Sequence, residues 1–153
     1  MNTIEAATLS NMTISMLERT AMVLAEPAVE GDVHPPATRF ARIVYRGPSS
    51  GTLVLGATEG FLRELAASLL GVESMEINID IQGSDALREM ANIVGGSVIL
   101  ALAGGVCEYS LGLPELVASA EQPAGTVSVE ATVVAEGGVL RVLWTQYNMP
   151  IAA

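Results

Sequence analysis

The sequence predicts an α+β domain in which an antiparallel β-sheet packs against helices, and three observations lead there. Half of the residues are hydrophobic but only 4% are aromatic, so the core must be built from Val, Leu, Ile, Ala and Met. Segments that alternate apolar and polar residues come in pairs joined by short Gly, Pro and Ser turns. Segments with helical period stand before and between those pairs, and no strand is followed by a regular crossover helix, so hairpins dominate. A chain of 153 residues fits one domain and buries roughly 70% of the surface it would expose unfolded. The expected division is an N-terminal helix at about 10–25, a linker at about 26–37 and a core at about 38–148.

In chain order, "SNMTISMLERTAMVLA" places Met16, Leu17, Val23 and Leu24 at near-helical spacing around Glu18 and Arg19, which predicts the first helix. The following "EPAVEGDVHPP" is rich in Pro, Gly and acids and reads as an exposed linker, with His34 a solvated loop residue. "RFARIVYRG" and "GTLVLGA" alternate and are joined by "PSS", a hairpin. Thr58 then caps "EGFLRELAASLLG", with Glu59 in the first turn, a stripe of Leu62, Leu65, Ala66 and Leu69, and Gly71 as the stop. Ser84 or Asp85 is expected to cap the next helix, which should run to about Gly104. "CEYSLG", "GTVSVEATVV" and "VLRVLWTQYN" read as strands, with "AEGG" turning between the last two.

Charge and residue census exclude several functions. Seventeen acids stand against seven arginines and no lysine, a net charge of −10. Nucleic-acid binding needs a basic footprint that this chain lacks. Without lysine there is no phosphate-loop lysine, no Schiff base and no Ser–Lys dyad. Cys107 is the single cysteine and cannot form an internal disulfide; it reads as a small buried hydrophobe. Glu108 beside it receives no role. A lone histidine cannot build a His-rich metal site, so neither a structural metal nor a cofactor of the chain's own is expected. "MNTIEAATLS" has no basic region followed by an apolar stretch, so no secretory signal is read and the expected location is cytoplasmic. Met90 to Cys107 carries no charge over eighteen residues, but it holds four glycines, Asn92 and Ser97 between acidic flanks. That composition favours a buried core helix over a membrane span.

The stretch "SDALREMANIVGG" carries the candidate chemistry. Projected at about 100° per residue, Leu87, Ala91, Val94, Val98 and Ala101 share a core face, while Asp85, Glu89, Asn92 and Gly96 fall on the opposite ridge at spacings of three and four. Ile93 lies beside Asn92. Glycine costs about 1 kcal/mol against alanine inside a helix, so Gly95 and Gly96 need a reason. Two stand open: close approach of another surface to Asn92, or close seating of the helix on the sheet. An asparagine amide donates and accepts, so it can orient a water without taking its proton. That suits phosphoryl transfer, where catalysis is mostly positioning and electrostatics. The ridge has no nucleophile or metal of its own, so a second protein would have to complete it.

Asp85, Glu89 four residues on, Asn92 three further and Pro114 downstream, with "NIVGGS" after the asparagine, resemble the signature of the chemotaxis phosphatase family that includes CheC, CheX and FliY. The resemblance covers residues 38–148, with Pro114 about one residue nearer than is usual and Ser97 where an asparagine is frequent. A single copy of the motif resembles the CheX branch. The resemblance implies a CheC-like or CheX-like fold and hydrolysis of the aspartyl phosphate on a CheY-like response-regulator receiver. Asn92 would orient the attacking water, Glu89 would pair with the receiver's active-site lysine, and Asp85 would support the motif. Ile93, Gly96 and Pro114 would support it or touch the partner. Any Mg2+ would belong to the receiver. A homodimer through a continuous sheet is also implied. The alternative is a receiver-binding or flagellar-switch-type adaptor without catalysis.

Overall fold

The alternating segments assemble into a seven-stranded sheet whose pairings are all antiparallel. The computed structural model describes residues 4–103, 108–121 and 126–147. Its elements are helix α1 (Ala6–Ala21), strands β1 (Ala25–Pro27), β2 (Arg39–Arg46) and β3 (Gly51–Ala57), helix α2 (Glu59–Leu70), a 3-10 turn (Ser74–Glu76), a π-helical turn (Ile79–Gly83) running into helix α3 (Ser84–Ala103), and strands β4 (Ser110–Leu111), β5 (Glu115–Val117), β6 (Thr126–Ala135) and β7 (Gly138–Tyr147). The strand order is β1-β6-β7-β3-β2-β4, with β5 also pairing on β2.

Period-two patterning builds the core. Ala41, Ile43 and Tyr45 of β2, Leu53 and Leu55 of β3, Leu140, Val142 and Trp144 of β7, and Ala131 and Val133 of β6 are all buried beneath the helices. Registers such as Ile43 opposite Leu53 and Leu53 opposite Trp144 put like with like. Tyr45 stacks on Trp144 with centroids 6.1 Å apart and donates its hydroxyl to the Thr145 carbonyl at 3.0 Å. The outer face alternates with this one and carries the Arg42–Glu115 and Arg141–Glu130 ion pairs.

Several details differ from expectation, among them a β4 of only Ser110–Leu111 and the unforeseen β5. α1 begins at Ala6 and stops at Ala21, because Met22 takes the left-handed conformation (φ 55°) and its N–H and that of Val23 donate to the Glu18 and Leu17 carbonyls. The segment expected as pure linker contributes β1, which pairs Ala25, Glu26 and Pro27 with Ala135, Val134 and Val133. His34 is half-buried rather than solvated. It lines a pocket of about 220 Å3 with Pro35, Pro36, Thr132 and Arg141, and its Nε2 has no partner among the described residues. The third helical run starts before Ser84: the Asn78 side chain accepts from the N–H groups of Asp80 and Ile81, and Gln82 Oε1 accepts from Asn78 N–H. Asn78 and Gln82 therefore share the capping task assigned to Ser84 or Asp85, and Ser84 is a buried helical residue.

α2 follows the prediction closely. Thr58 Oγ1 accepts from Phe61 N–H at 3.3 Å and from Val139 N–H at 3.1 Å, so the cap also ties the helix to the β6–β7 hairpin. Gly71 ends it at φ 70°. Leu62, Leu65 and Ala66 are buried, whereas Leu69 is 37% exposed and Leu70 53%.

Candidate functional site: an open ridge on α3

α3 can present a polar ridge because its other face is anchored on three sides. Leu87, Met90, Ala91, Val94 and Val98 are at most 1% exposed, and the helix packs against β2, α1 and α2. Its entry is held by charge as well. Arg39 pairs with Asp80 at 2.7 Å and Glu59 at 3.5 Å, bridging the π-helical turn and α2. Arg63 donates to the Ile77 carbonyl at 2.9 Å. The hydrogen bond to Asp80 also raises the Arg39 pKa. The helical run Ile79–Ala103 is long and apolar enough by composition to cross a membrane, and half of its most apolar window is buried inside the fold.

Asp85, Glu89 and Asn92 lie together on the exposed face of α3, with Gly96 partly exposed one turn above Asn92 and Ile93 half-buried beside it. Asp85 pairs with Arg88 one turn on. Among the described residues no side-chain hydrogen bond or ion pair engages the Glu89 carboxylate or the Asn92 amide. An amide and a carboxylate one turn apart, unspent among the described residues and fixed to a packed helix, can hold a water and a cation delivered from outside. Among the described residues no three His, Cys, Asp or Glu side chains are grouped as a metal site.

The two glycines separate into two roles. A Cβ at Gly95 would lie 3.2 Å from Ile43 Cγ2 and 3.4 Å from Leu111 Cδ1, so this glycine seats α3 on β2 and β4. A Cβ at Gly96 would meet nothing within 4 Å. Gly96 thus has no packing reason among the described residues, and it leaves bare helix backbone above Asn92. Ala101, expected in the core, is exposed, and Leu100 is 64% exposed one turn beyond Gly96. The ridge therefore ends in an apolar surface, on the face of α3 opposite the buried Val98, Ile99 and Leu102.

Pro114 belongs to a separate element. It is half-buried in the connection between β4 and β5, two short strands that both touch α3, and its neighbour Leu113 is 90% exposed. Glu108 is exposed; Cys107 lies outside the described residues. One feature escaped sequence reading. The C-terminal end of α2 and the start of α3 enclose a groove of about 290 Å3, lined by Ala66, Leu69, Leu70, Gln82, Asp85, Ala86 and Glu89. Both leucines of the "SLLG" ending, Leu69 and Leu70, stay partly exposed at the last turn of α2 and line this groove.

Helices on one face of an antiparallel sheet are the architecture of solved CheC-like and CheX-like proteins. A chemotaxis protein CheX from Desulfovibrio desulfuricans superposes with a TM-score of 0.75 at 15% identity, covering 92% of this chain and 97% of that one. A CheC-like superfamily protein from Shewanella gives 0.74 at 18% identity, covering 97% and 100%. The Borrelia burgdorferi CheX–CheY–BeF3–Mg2+ complex gives 0.70 at 12% identity, covering 95% of this chain and 100% of that chain. A search of curated protein sequences gives no match. The family profile described as "Chemotaxis phosphatase CheX" matches residues 39–135, more than half of the chain. The protein belongs to the chemotaxis phosphatase CheX family.

Proposed function

We propose that the protein accelerates hydrolysis of the aspartyl phosphate on a CheY-like response-regulator receiver, by inserting the α3 ridge into the receiver's phosphorylation site. Family membership supports the phosphatase class. The observation that carries the mechanism is the open pair of Glu89 and Asn92 beneath the unpacked Gly96. Asn92 holds a water in line with the phosphorus. Attack forms a new P–O bond and breaks the bond to the aspartyl oxygen. The receiver recovers its carboxylate and inorganic phosphate keeps the water's protons, so no general base is required of this chain. Glu89 pairs with the receiver's active-site lysine and sets the register, while Asp85, held by Arg88, shapes the start of the ridge. Gly96 lets the receiver approach, and Ile93 and Pro114 border the contact.

The Mg2+ that neutralises the phosphoryl oxygens is the receiver's; the solved CheX–CheY complex contains BeF3 and Mg2+. The reaction is placed in the cytoplasm with its substrate. A homodimer is proposed through β6, whose residues 128–131 lie beyond the stretch that β1 and Ala28 engage.

A FliM middle domain from Vibrio alginolyticus and Thermotoga maritima FliY share the fold at a TM-score of 0.58. Binding without catalysis is the competing reading, and the test must read decay. A phosphorylated receiver should lose its label faster with this protein present, and Asn92→Ala should remove the effect with the thermal melt unchanged. Saturable binding with unchanged decay would assign the protein to the adaptors.

A further inference from the structure

The groove between α2 and α3 has a composition that the water-positioning chemistry does not use. Leu69 and Leu70 form one wall at 37% and 53% exposure, the nearly inaccessible Ala66 and Ala86 lie at its base, and Asp85 and Glu89 form the other wall. The adjacent basic residue, Arg88, is already paired to Asp85. The groove is thus apolar on one side and polar on the other, where Gln82 and the Arg88-paired Asp85 stand beside Glu89, which it shares with the ridge.

Resting on the phosphatase reading above, we infer that this groove seats an apolar side chain of the receiver. Two properties of the chain point to that occupant. First, the shared Glu89 makes the groove continuous with the surface the receiver covers when Asn92 reaches its phosphoryl group, so a docked receiver closes over the groove. Second, the chain carries a net charge of −10 and must approach an acidic phosphorylation pocket. An apolar contact contributes affinity that is indifferent to that repulsion. The groove's volume of about 290 Å3 admits a large apolar side chain. In this arrangement the ridge carries the chemistry, and the groove selects which receivers present it with a substrate.

The test compares wild type with the double variant Leu69→Ala/Leu70→Ala and with Leu70→Glu, the latter at a position exposed enough to leave the fold intact. Affinity is measured for a CheY-like receiver loaded with beryllofluoride and Mg2+, and steady-state dephosphorylation for the same receiver charged from a small phosphodonor. The double variant should raise Kd and KM about tenfold or more, with the loss carried in KM rather than kcat. The factor should be the same at low and high salt, because an apolar contact is not screened. Leu70→Glu should weaken binding at least as much. Wild-type turnover with unchanged Kd and KM in both variants would overturn the groove alone. Wild type that neither binds nor turns over the receiver would overturn the phosphatase reading and the groove with it. Loss of self-association in Leu70→Glu with intact receiver affinity would assign the groove to a second copy of this chain, against the inference.

Discussion

Substituting Gly96 should separate stability from function, because the two respond in opposite directions. A Cβ there meets nothing within 4 Å, so Gly96→Ala gains helix propensity without a packing cost, about 1 kcal/mol. For a chain of this size that corresponds to a rise in Tm of roughly 2–4 °C. Gly96→Leu keeps most of the gain, since leucine propensity is close to that of alanine. The same methyl groups project over Asn92, where the proposal brings the receiver closest. Extra methylenes forced into a fitted contact cost about 1–3 kcal/mol, so Gly96→Leu should raise KM on the order of tenfold or more, with Gly96→Ala in between. Calorimetric melts and receiver-dephosphorylation kinetics on the three proteins read both effects. Gly95→Ala is the control: its Cβ would press on Ile43 and Leu111 at 3.2 and 3.4 Å, which offsets the propensity gain. Wild-type KM in Gly96→Leu, or a lowered melt in Gly96→Ala, would refute the reasoning.

Further expectations follow from other parts of the structure. Glu89→Gln should weaken receiver association at low salt and make binding less salt-dependent than wild type, as measured by titration across ionic strength; an unchanged salt slope contradicts an ion pair at that position. Thr58→Ala removes the acceptor shared by Phe61 and Val139 and should cost about 2–3 kcal/mol in denaturant unfolding; a change under about half a kcal/mol would show that the cap does not tie α2 to the hairpin. Burial, with smaller contributions from Tyr109 and Tyr147, raises the Tyr45 pKa above the ordinary 10.0. A folded-state pKa raised above the unfolded one adds stability that is complete below pH 10.0 and is lost as pH climbs through the raised value. Tyr45→Phe should therefore be less stable at neutral pH, where it loses the bond to Thr145, yet decline less steeply in alkali; parallel alkaline slopes would rule out that source of pH dependence.

Much of the fold was legible because its signals are local. The β2–β3 hairpin, the capped and Gly-terminated α2, and the β6–β7 hairpin each carry period and punctuation within their own residues. What failed depends on distant partners or on unmarked conformations. α1 ends on a left-handed methionine where no glycine or proline announces the stop. β1 is only three residues long and exists because β6 lies beside it. The start of α3 is set by a reciprocal Asn78–Gln82 pair one turn upstream of the more conspicuous Ser84 and Asp85. The ridge itself was legible from helical spacing alone. The division of labour between Gly95 and Gly96 was not, because it turns on whether Ile43 and Leu111 or open space faces each Cα. The groove was also hidden, since its walls come from two helices and only packing shows that Leu69 and Leu70 stay partly uncovered.

The most direct test of the central claim is the decay of a phosphorylated CheY-like receiver in the presence of wild-type protein and of Asn92→Ala. The account predicts a shortened phosphoryl lifetime with wild type. In the variant the acceleration should fall on the order of a hundredfold, as expected for loss of a pre-positioned polar group, while the melt and receiver affinity are retained. Equal acceleration by wild type and Asn92→Ala would contradict the claim that this amide positions the attacking water.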